Sequence, residues 1–364
     1  MIRIVLAVLA MCLANCLPSG ARADTIAFGA ILPLTGPGGP IGTQQKLGIQ
    51  FAVDKINAKG GVRGHKIEAI FEDNQAKPDQ SILSFNKLVD LQHLPMIFTS
   101  FSGPTLAMAP LATRKKVLLI NAGAQADALS KASPYLMNTL PTLADETGIL
   151  TAWLAKSGKK KAAILFETSA AGISGKDNYI ATYTAAGGTV VAQEPSQFGQ
   201  TDFRPALLKL ADSHPDVMMV SITAAVQQMA QQFSQMGVHF QVAGTTFFQD
   251  PALIADPAAE GFVHTQLQSK VAPELAAEFK ANYHAEMEFF VRQYYTAANI
   301  LFVALDKVLA DGKPVTGETL RDTILEIKKF DGLVPVVFNT NTATVPFDMR
   351  IIHDKQDQLL EELK

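Results

Sequence analysis

The sequence is poor in cysteine. It has two, Cys12 and Cys16, both within the first sixteen positions. An excess of charge of one sign is also missing. Thirty-one basic residues face 34 acidic ones, a net charge of −3. Without a basic excess to neutralise phosphates, nucleic-acid binding is not expected. Long hydrophobic runs are absent as well. The apolar patches, such as 297–305, fall well short of the roughly 20 residues that span a bilayer. Yet 48% of residues are apolar and 18% charged, which excludes intrinsic disorder. A chain of 364 residues suggests about two domains. It can bury roughly three-quarters of its unfolded surface, so it needs no covalent staples.

The N-terminus explains where the cysteines sit. Arg3 precedes an almost wholly apolar stretch, Ile4 to Leu13, and Ala21-Arg22-Ala23 offers the small-x-small pattern of a cleavage site. Together these describe a cleaved secretory signal, residues 1–23. A lipoprotein anchor at Cys16 is the rival reading. It is disfavoured because Asn15 stands where Gly, Ala or Ser normally precedes the acylated cysteine. The exported chain, 24–364, then has no cysteine, which excludes thiol nucleophiles and dithiol redox chemistry. Loss of Arg3 and Arg22 takes its net charge to −5. A periplasmic location follows as the expectation.

Alternation of apolar runs and helical periodicity predicts strands at 25–32, 66–72, 96–99 and 117–121, with helices at 43–57, 78–91 and 104–114. The rhythm restarts with strands at 161–166, 189–193, 217–222 and 241–245 and helices at 175–186, 202–212 and 224–236. Each block implies a parallel sheet covered by helices on both faces. The break lies near 135–144, where Pro134 and Pro141 punctuate the chain. Further on, 263–266 reads as extended, 272–284 and 319–327 as helical, with a long helix through Tyr295–Leu305 between them. The tail, 336–338, 347–353 and 358–361, reads as hairpin strands.

Motifs for chemistry fail one by one. Ser102 has Ser100 where a nucleophile elbow needs glycine, and Ser174 has Lys176. The Gly175-Lys176 pair lacks the glycine and hydroxyl of a phosphate loop, having Ala170 and Asp177 instead. Pro37 and Pro40 interrupt the 36–42 glycine run, so it is no dinucleotide fingerprint. His284 and Glu288 are four apart on an expected helix, but no third ligand accompanies them, and they read as a solvated face. No enzyme activity, metal or cofactor is expected, and an exported hydrolase is the least favoured reading.

Several segments resemble the leucine/isoleucine/valine-type solute-binding proteins, the periplasmic receptors of ABC importers. They are 30–37 (AILPLTGP) with Gly42, 52–62 (AVDKINAKGGV), 72–74 (EDN), 106–110 (LAMAP), 117–124 (VLLINAGA), 201–203 (TDF) and Gly237. The ordered set covers essentially all of 24–364. The resemblance implies the type I periplasmic-binding fold: α/β, two Rossmann-like lobes with parallel central sheets joined by a three-segment hinge. Crossovers are expected near 138–143, 262–267 and 338–346. Lobe I is then 24–140 and 265–338, and lobe II is 141–264 and 339–364. A ligand would lie between the lobes at the carboxyl ends of the strands and be trapped by hinge closure. Family members often carry a disulfide in the first lobe; this exported chain cannot.

Ser102-Gly103-Pro104 reads as a helix start, with Pro104 suited to the first helical position and Gly103 near the cap. Free N–H groups and the helix dipole there favour an anion. The resemblance implies that Ser102 binds a ligand carboxylate, with Gly103 beside it and Ala124 and Gln125 at the same end. Other matched positions depart from amino-acid binders. Tyrosines of the family are replaced by Ile41, Ala171 and, near the third, Thr223. Where an acid pairs with the ligand ammonium, this chain has Thr246, followed by Phe247. A buried ammonium without an anionic partner costs several kcal/mol. With Phe101, Phe247 and Phe290 as apolar walls, the expected ligand is a small carboxylate with an aromatic or other apolar body. A branched-chain or other amino acid is the alternative, with Asp250 or another acid as ammonium partner. The expected partner is an ABC permease, or, in the alternative, a periplasmic sensor system; a monomer is expected.

Overall fold

The computed structural model describes residues 24–363; the expected signal segment, with Cys12 and Cys16, lies outside them. Two parallel sheets organise the chain. The first has the order β2-β1-β3-β4-β5, built from β1 (Thr25–Leu32), β2 (Lys66–Asp73), β3 (Met96–Thr99), β4 (Leu118–Asn121) and β5 (Leu136–Asn138), all parallel. Around it pack α1 (Gly39–Ala58), α2 (Pro78–Asn86, continued as a π turn at Lys87–Leu91) and α3 (Ser102–Lys115).

After β5 the chain crosses to α4 (Leu143–Lys156) and the second sheet. That sheet holds β6 (Lys161–Glu167), β7 (Thr189–Ser196), β8 (Val217–Ser221), β9 (Gln241–Gly244) and β10 (Val263–Leu267) in parallel, in the order β10-β9-β8-β6-β7. Its helices are α5 (Ala170–Ala185), α6 (Arg204–Asp212) and α7 (Val226–Gln235). The chain then returns to the first lobe for α8 (Pro273–Tyr283), α9 (Phe289–Ala310) and α10 (Gly317–Ile327). A small antiparallel sheet follows, of β11 (Lys329–Phe330), β12 (Val336–Phe338) and β13 (Ala343–Thr344). The hairpin β14 (Phe347–His353) and β15 (Gln356–Leu363) adds antiparallel to β10.

The strands read as near-continuous apolar runs because both faces of each sheet are covered. Alternate residues feed opposite cores. Phe28, Ala30 and Leu32 of β1 face one cluster while Ile31 faces another; Ala163 and Leu165 of β6 oppose Ala162 and Ile164. The four clusters are the four sheet faces, and almost every member is fully buried. Helix α9 completes the first lobe by lying against α1. Gly48 permits the approach, since a Cβ there would stand 2.4 Å from the Val291 carbonyl.

The structure shifts several expected boundaries. Residues 265–267 complete β10 and pair with β14 in the second sheet, although Leu267 also packs into the first-lobe core. The third crossover falls after β13, because Ala343, Val345 and Phe347 join the first-lobe core and Asn341 accepts from Asn138 N at 2.8 Å. Helix α5 begins at Ala170, not Gly175, capped by Ser169 Oγ, which accepts from Gly172 N at 3.1 Å. Helix α3 begins at Ser102, so Pro104 is its third residue rather than its first. His284 ends α8 and Glu288 caps α9, so the two never share a helix face. Among the described residues no helix is long and apolar enough to cross a membrane.

Candidate functional site

Strand order reverses direction at β1/β3 in the first sheet and at β6/β8 in the second. Loops leaving such neighbours diverge and open a crevice at the carboxyl ends. A cavity of about 260 Å³ lies there between the lobes. It is smaller than the roughly 300–1,000 Å³ of drug-sized sites, which limits it to a small ligand. The first lobe lines it with Ile41, Phe101, Ser102, Gly103, Gly123, Ala124, Gln125 and Phe290; the second with Glu167, Ser169, Ala170, Ala171, Phe198, Thr223 and Phe247. All expected site residues but one therefore converge. Thr246 instead lines an adjoining cavity of about 210 Å³ that shares Ile41, Thr223, Phe247 and Phe290 with the first. Its backbone N–H donates to Glu146 Oε1 at 2.6 Å, and its hydroxyl oxygen accepts from Gln249 Nε2. Asp250 also lies in the adjoining cavity.

The first-lobe wall is an anion cradle. Phe101 sits at φ 60°, ψ 137°, an unusual conformation for a bulky residue and worth about 1–3 kcal/mol of strain. The bend turns the first turn of α3 onto the cavity. The N–H of Thr105 bonds back to the Phe101 carbonyl at 3.0 Å, and Pro104 has no N–H, so Ser102 and Gly103 carry the free donors. The helix start, two residues earlier than a first-position proline implies, thus leaves the expected donors in place. Ser102 Oγ accepts from Ala126 N at 3.2 Å, which leaves its own proton to give.

Asn121 shapes the loop opposite. Fully buried at the end of β4, its Oδ1 accepts from Gly123 N at 3.1 Å and Ala124 N at 2.9 Å, and its Nδ2 donates to the Ala124 carbonyl at 2.7 Å. Gly123 is required, because a Cβ would meet Tyr294 Oη at 2.9 Å and Gln45 Nε2 at 3.0 Å. Beneath this loop Tyr294 donates to the Thr99 carbonyl, and Gln45 donates to Ser100 Oγ at 2.7 Å. Burial holds the Tyr294 phenol well above its ordinary pKa, so it stays a neutral donor.

The floor of the cavity is also the hinge. Gln125 lines the cavity, and its Nε2 donates to Glu146 Oε2 at 3.0 Å. Glu146 is fully buried in α4 and also accepts from Thr265 Oγ1 of β10 and Thr246 N. One carboxylate thereby ties together both early crossovers and the loop after β9. Burial raises its pKa above the ordinary value, against the lowering effect of these donors.

The lobes meet around the cavity. Asp127 of the first lobe accepts from Ser174 Oγ at 3.0 Å and Asn178 Nδ2 at 2.5 Å of α5, and its N–H donates to Ser174 Oγ. Phe101 and Phe198 pack edge to face at 5.5 Å, and Phe247 faces Phe290 at 6.4 Å. Beside the adjoining cavity, Arg292 Nη2 donates to its lining residue Gln249 on Oε1 at 3.0 Å. Glu288 there has its pKa raised, first by burial and then by Asp250 across the gap.

Sequence reasoning missed Glu167, Ser169, Ala170 and Phe198. Glu167 ends β6, is 2% exposed, and accepts on Oε2 from Thr223 Oγ1 at 3.0 Å and Thr223 N at 3.4 Å. An acid closing a buried strand just ahead of Ser169-Ala170-Ala171 was the available signal. Among the described residues the one possible metal-ligand trio, Glu260, His353 and Asp354, is exposed and lines neither cavity.

Known proteins share this arrangement. The chain matches the family profile described as periplasmic binding protein over residues 25–357. The Leu/Ile/Val-binding protein BraC3 of Rhizobium johnstonii is 27% identical over 297 residues, covering 79% of this chain and 80% of that protein. A solute-binding protein of an ABC transporter from Rhodopseudomonas palustris, solved with 3,4-dihydroxybenzoic acid, superposes with a TM-score of 0.82 at 27% identity. The match covers 94% of this chain and 98% of that one. The branched-chain amino acid transporter protein LivJ of Streptococcus pneumoniae, solved with isoleucine, superposes at 0.83 with 22% identity over 94% and 100%, a likeness of fold. With its two parallel-sheet lobes and interlobe cavity, the chain belongs to the periplasmic binding protein family, among the Leu/Ile/Val-binding-type receptors of ABC transporters.

Proposed function

We propose that this receptor is exported and traps a small monocarboxylate with an aromatic body, presenting it to an ABC permease. The observation that carries the reading is the polarity of the cavity. Free donors from Ser102 and Gly103 gather at one end, beside Ala124 and Gln125, and Phe101, Phe198, Phe247 and Phe290 wall the rest. A carboxylate at the start of α3 gains charge-assisted hydrogen bonds and the helix field. Aromatic walls favour a flat apolar body. The Rhodopseudomonas protein that holds 3,4-dihydroxybenzoic acid supports this ligand class. No catalytic step is invoked: closure stabilised by groups from both lobes is the mechanism.

A second reading has a specific observation in its favour. Glu167 places a carboxylate in the cavity, where a branched-chain amino acid would need a partner for its ammonium. The Leu/Ile/Val-binding relatives fit that reading. Titration calorimetry with benzoate, hydroxybenzoates and leucine separates the two. Tight binding of leucine with no response to the aromatic acids overturns the first. Export is tested by the mature N-terminus in a periplasmic fraction, expected at Asp24.

A further inference from the structure

We infer that Glu167 and Thr223 form a subsite for a hydroxyl donor at the end of the ligand opposite its carboxylate, so that the receptor selects hydroxylated aromatic acids over unsubstituted ones. The inference rests on the aromatic-carboxylate reading above and sharpens it. Glu167 is a nearly fully buried acid in a cavity otherwise walled by phenylalanines and small residues. Thr223 saturates one of its oxygens: the threonine hydroxyl and N–H both donate to Oε2. Among the described residues Oε1 has no hydrogen-bond partner, and the residue lines the cavity. Inside the water-poor cavity a hydrogen bond from a ligand donor to this charged acceptor is stronger than the same bond in water.

The number of open acceptors decides which donor fits. An ammonium brings three protons and requires several acceptors, whereas a phenol brings one. One open oxygen among aromatic walls matches a single O–H. Charge decides the direction. The ligand carboxylate belongs with the α3 N-terminus on the first lobe, and Glu167 stands on the second, so repulsion between the two anions orients the ligand with its hydroxyl toward Glu167. The same repulsion excludes a dicarboxylate.

Glu167→Gln inverts this subsite with little change of shape. Thr223 still demands an oxygen, so the new amide turns its Nε2, a donor, toward the cavity. Calorimetry of wild type and Glu167→Gln with 4-hydroxybenzoate, benzoate, terephthalate and leucine is the test, with thermal melts to confirm folding. Wild type is expected to bind 4-hydroxybenzoate at least about tenfold more tightly than benzoate and to reject terephthalate. The variant is expected to lose that preference, hold benzoate within about threefold and gain terephthalate. Equal wild-type affinities for benzoate and 4-hydroxybenzoate overturn the subsite while leaving the aromatic-acid reading standing. Leucine binding that collapses in the variant, with no response to aromatic acids, overturns both. The wild-type comparison decides the matter even if the variant fails to fold.

Discussion

Replacing Asp127 tests whether ligand affinity is set partly by contacts that never touch the ligand. Its carboxylate joins the lobes through Ser174 Oγ and Asn178 Nδ2, and its other oxygen accepts from Ala144 N at 2.9 Å beside the first crossover. Asp127→Ala removes both side-chain bonds to α5. Hydrogen bonds to a charged group contribute about 1.5–3 kcal/mol each, but this carboxylate is partly solvated, and water replaces some of what is lost. A combined loss of about 1–3 kcal/mol is the working figure. If the free receptor is mostly open, ligand binding must supply the closure energy, so the whole loss passes into apparent affinity. That corresponds to about 5- to 150-fold weaker binding. Ser174→Ala, which spares Asn178, should weaken binding by a smaller factor. Titration calorimetry reads the affinity, and small-angle scattering reads the compaction on ligand addition. An Asp127→Ala protein with unchanged affinity and the same compaction as wild type would show that the contact does not hold the lobes together.

Ser102→Ala removes the hydroxyl donor while keeping the backbone N–H groups of α3. Carboxylate affinity should fall about 10- to 100-fold by calorimetry, with a modest drop in the free protein's melting temperature because Ala126 N loses its acceptor. Glu146 predicts a pH dependence. Its folded carboxyl holds the proton above the ordinary value of 4.5, so the native state binds more protons than the unfolded chain just above that pH. The stabilising contribution is therefore present at and below about 4.5 and is lost as pH rises through the folded pKa. Glu146→Gln should flatten that part of the stability–pH curve, with Gln125 turning its amide so that its unpartnered Oε1 accepts from the new donor. Glu146→Ala, which strands three donors, should lower stability at every pH by about 2–5 kcal/mol in denaturant titrations. Gly48→Ala gains helix propensity but forces α1 from α9 at the Val291 carbonyl, and should cost about 1–3 kcal/mol of stability. An unchanged denaturation midpoint would refute the close packing.

The parallel strands were legible because burial on both faces leaves little but apolar residues, as in Val217-Met218-Met219-Val220. Helix starts were less so. Pro104 looks like a first-turn residue, but the positive φ of Phe101 begins α3 two positions earlier, and nothing local in a phenylalanine announces that conformation. The small residues Ala170, Ala171 and Gly172 hid the first turn of α5, because a helix start rich in Ala and Gly also reads as a loop. The β10 boundary failed for a different reason. Its last residues are fixed by pairing with β14, some eighty positions on, which no local window contains. Ser102, Ala124 and Gln125 were legible through resemblance, whereas Glu167 was not, since a lone acid at a strand end is common on surfaces and its partner, Thr223, comes from the loop after β8.

The Glu146 knot has a consequence for the order of events in capture. It joins Gln125, Thr246 and Thr265 at the pivot, while Phe101–Phe198 and the close approach of Gly199 to Pro37 lie on the rim. Rotation about a pinned axis moves the rim far and the floor little. The first-lobe donors thus stay assembled while the mouth is open, held by Asn121 and the bent start of α3. On the proposed reading, the ligand carboxylate is moored before the second lobe arrives, and the groups on that lobe inspect the far end only as the mouth shuts. Capture and inspection are separate in time: a poor ligand is met as readily as a good one and leaves sooner, so discrimination should be read in dissociation rates.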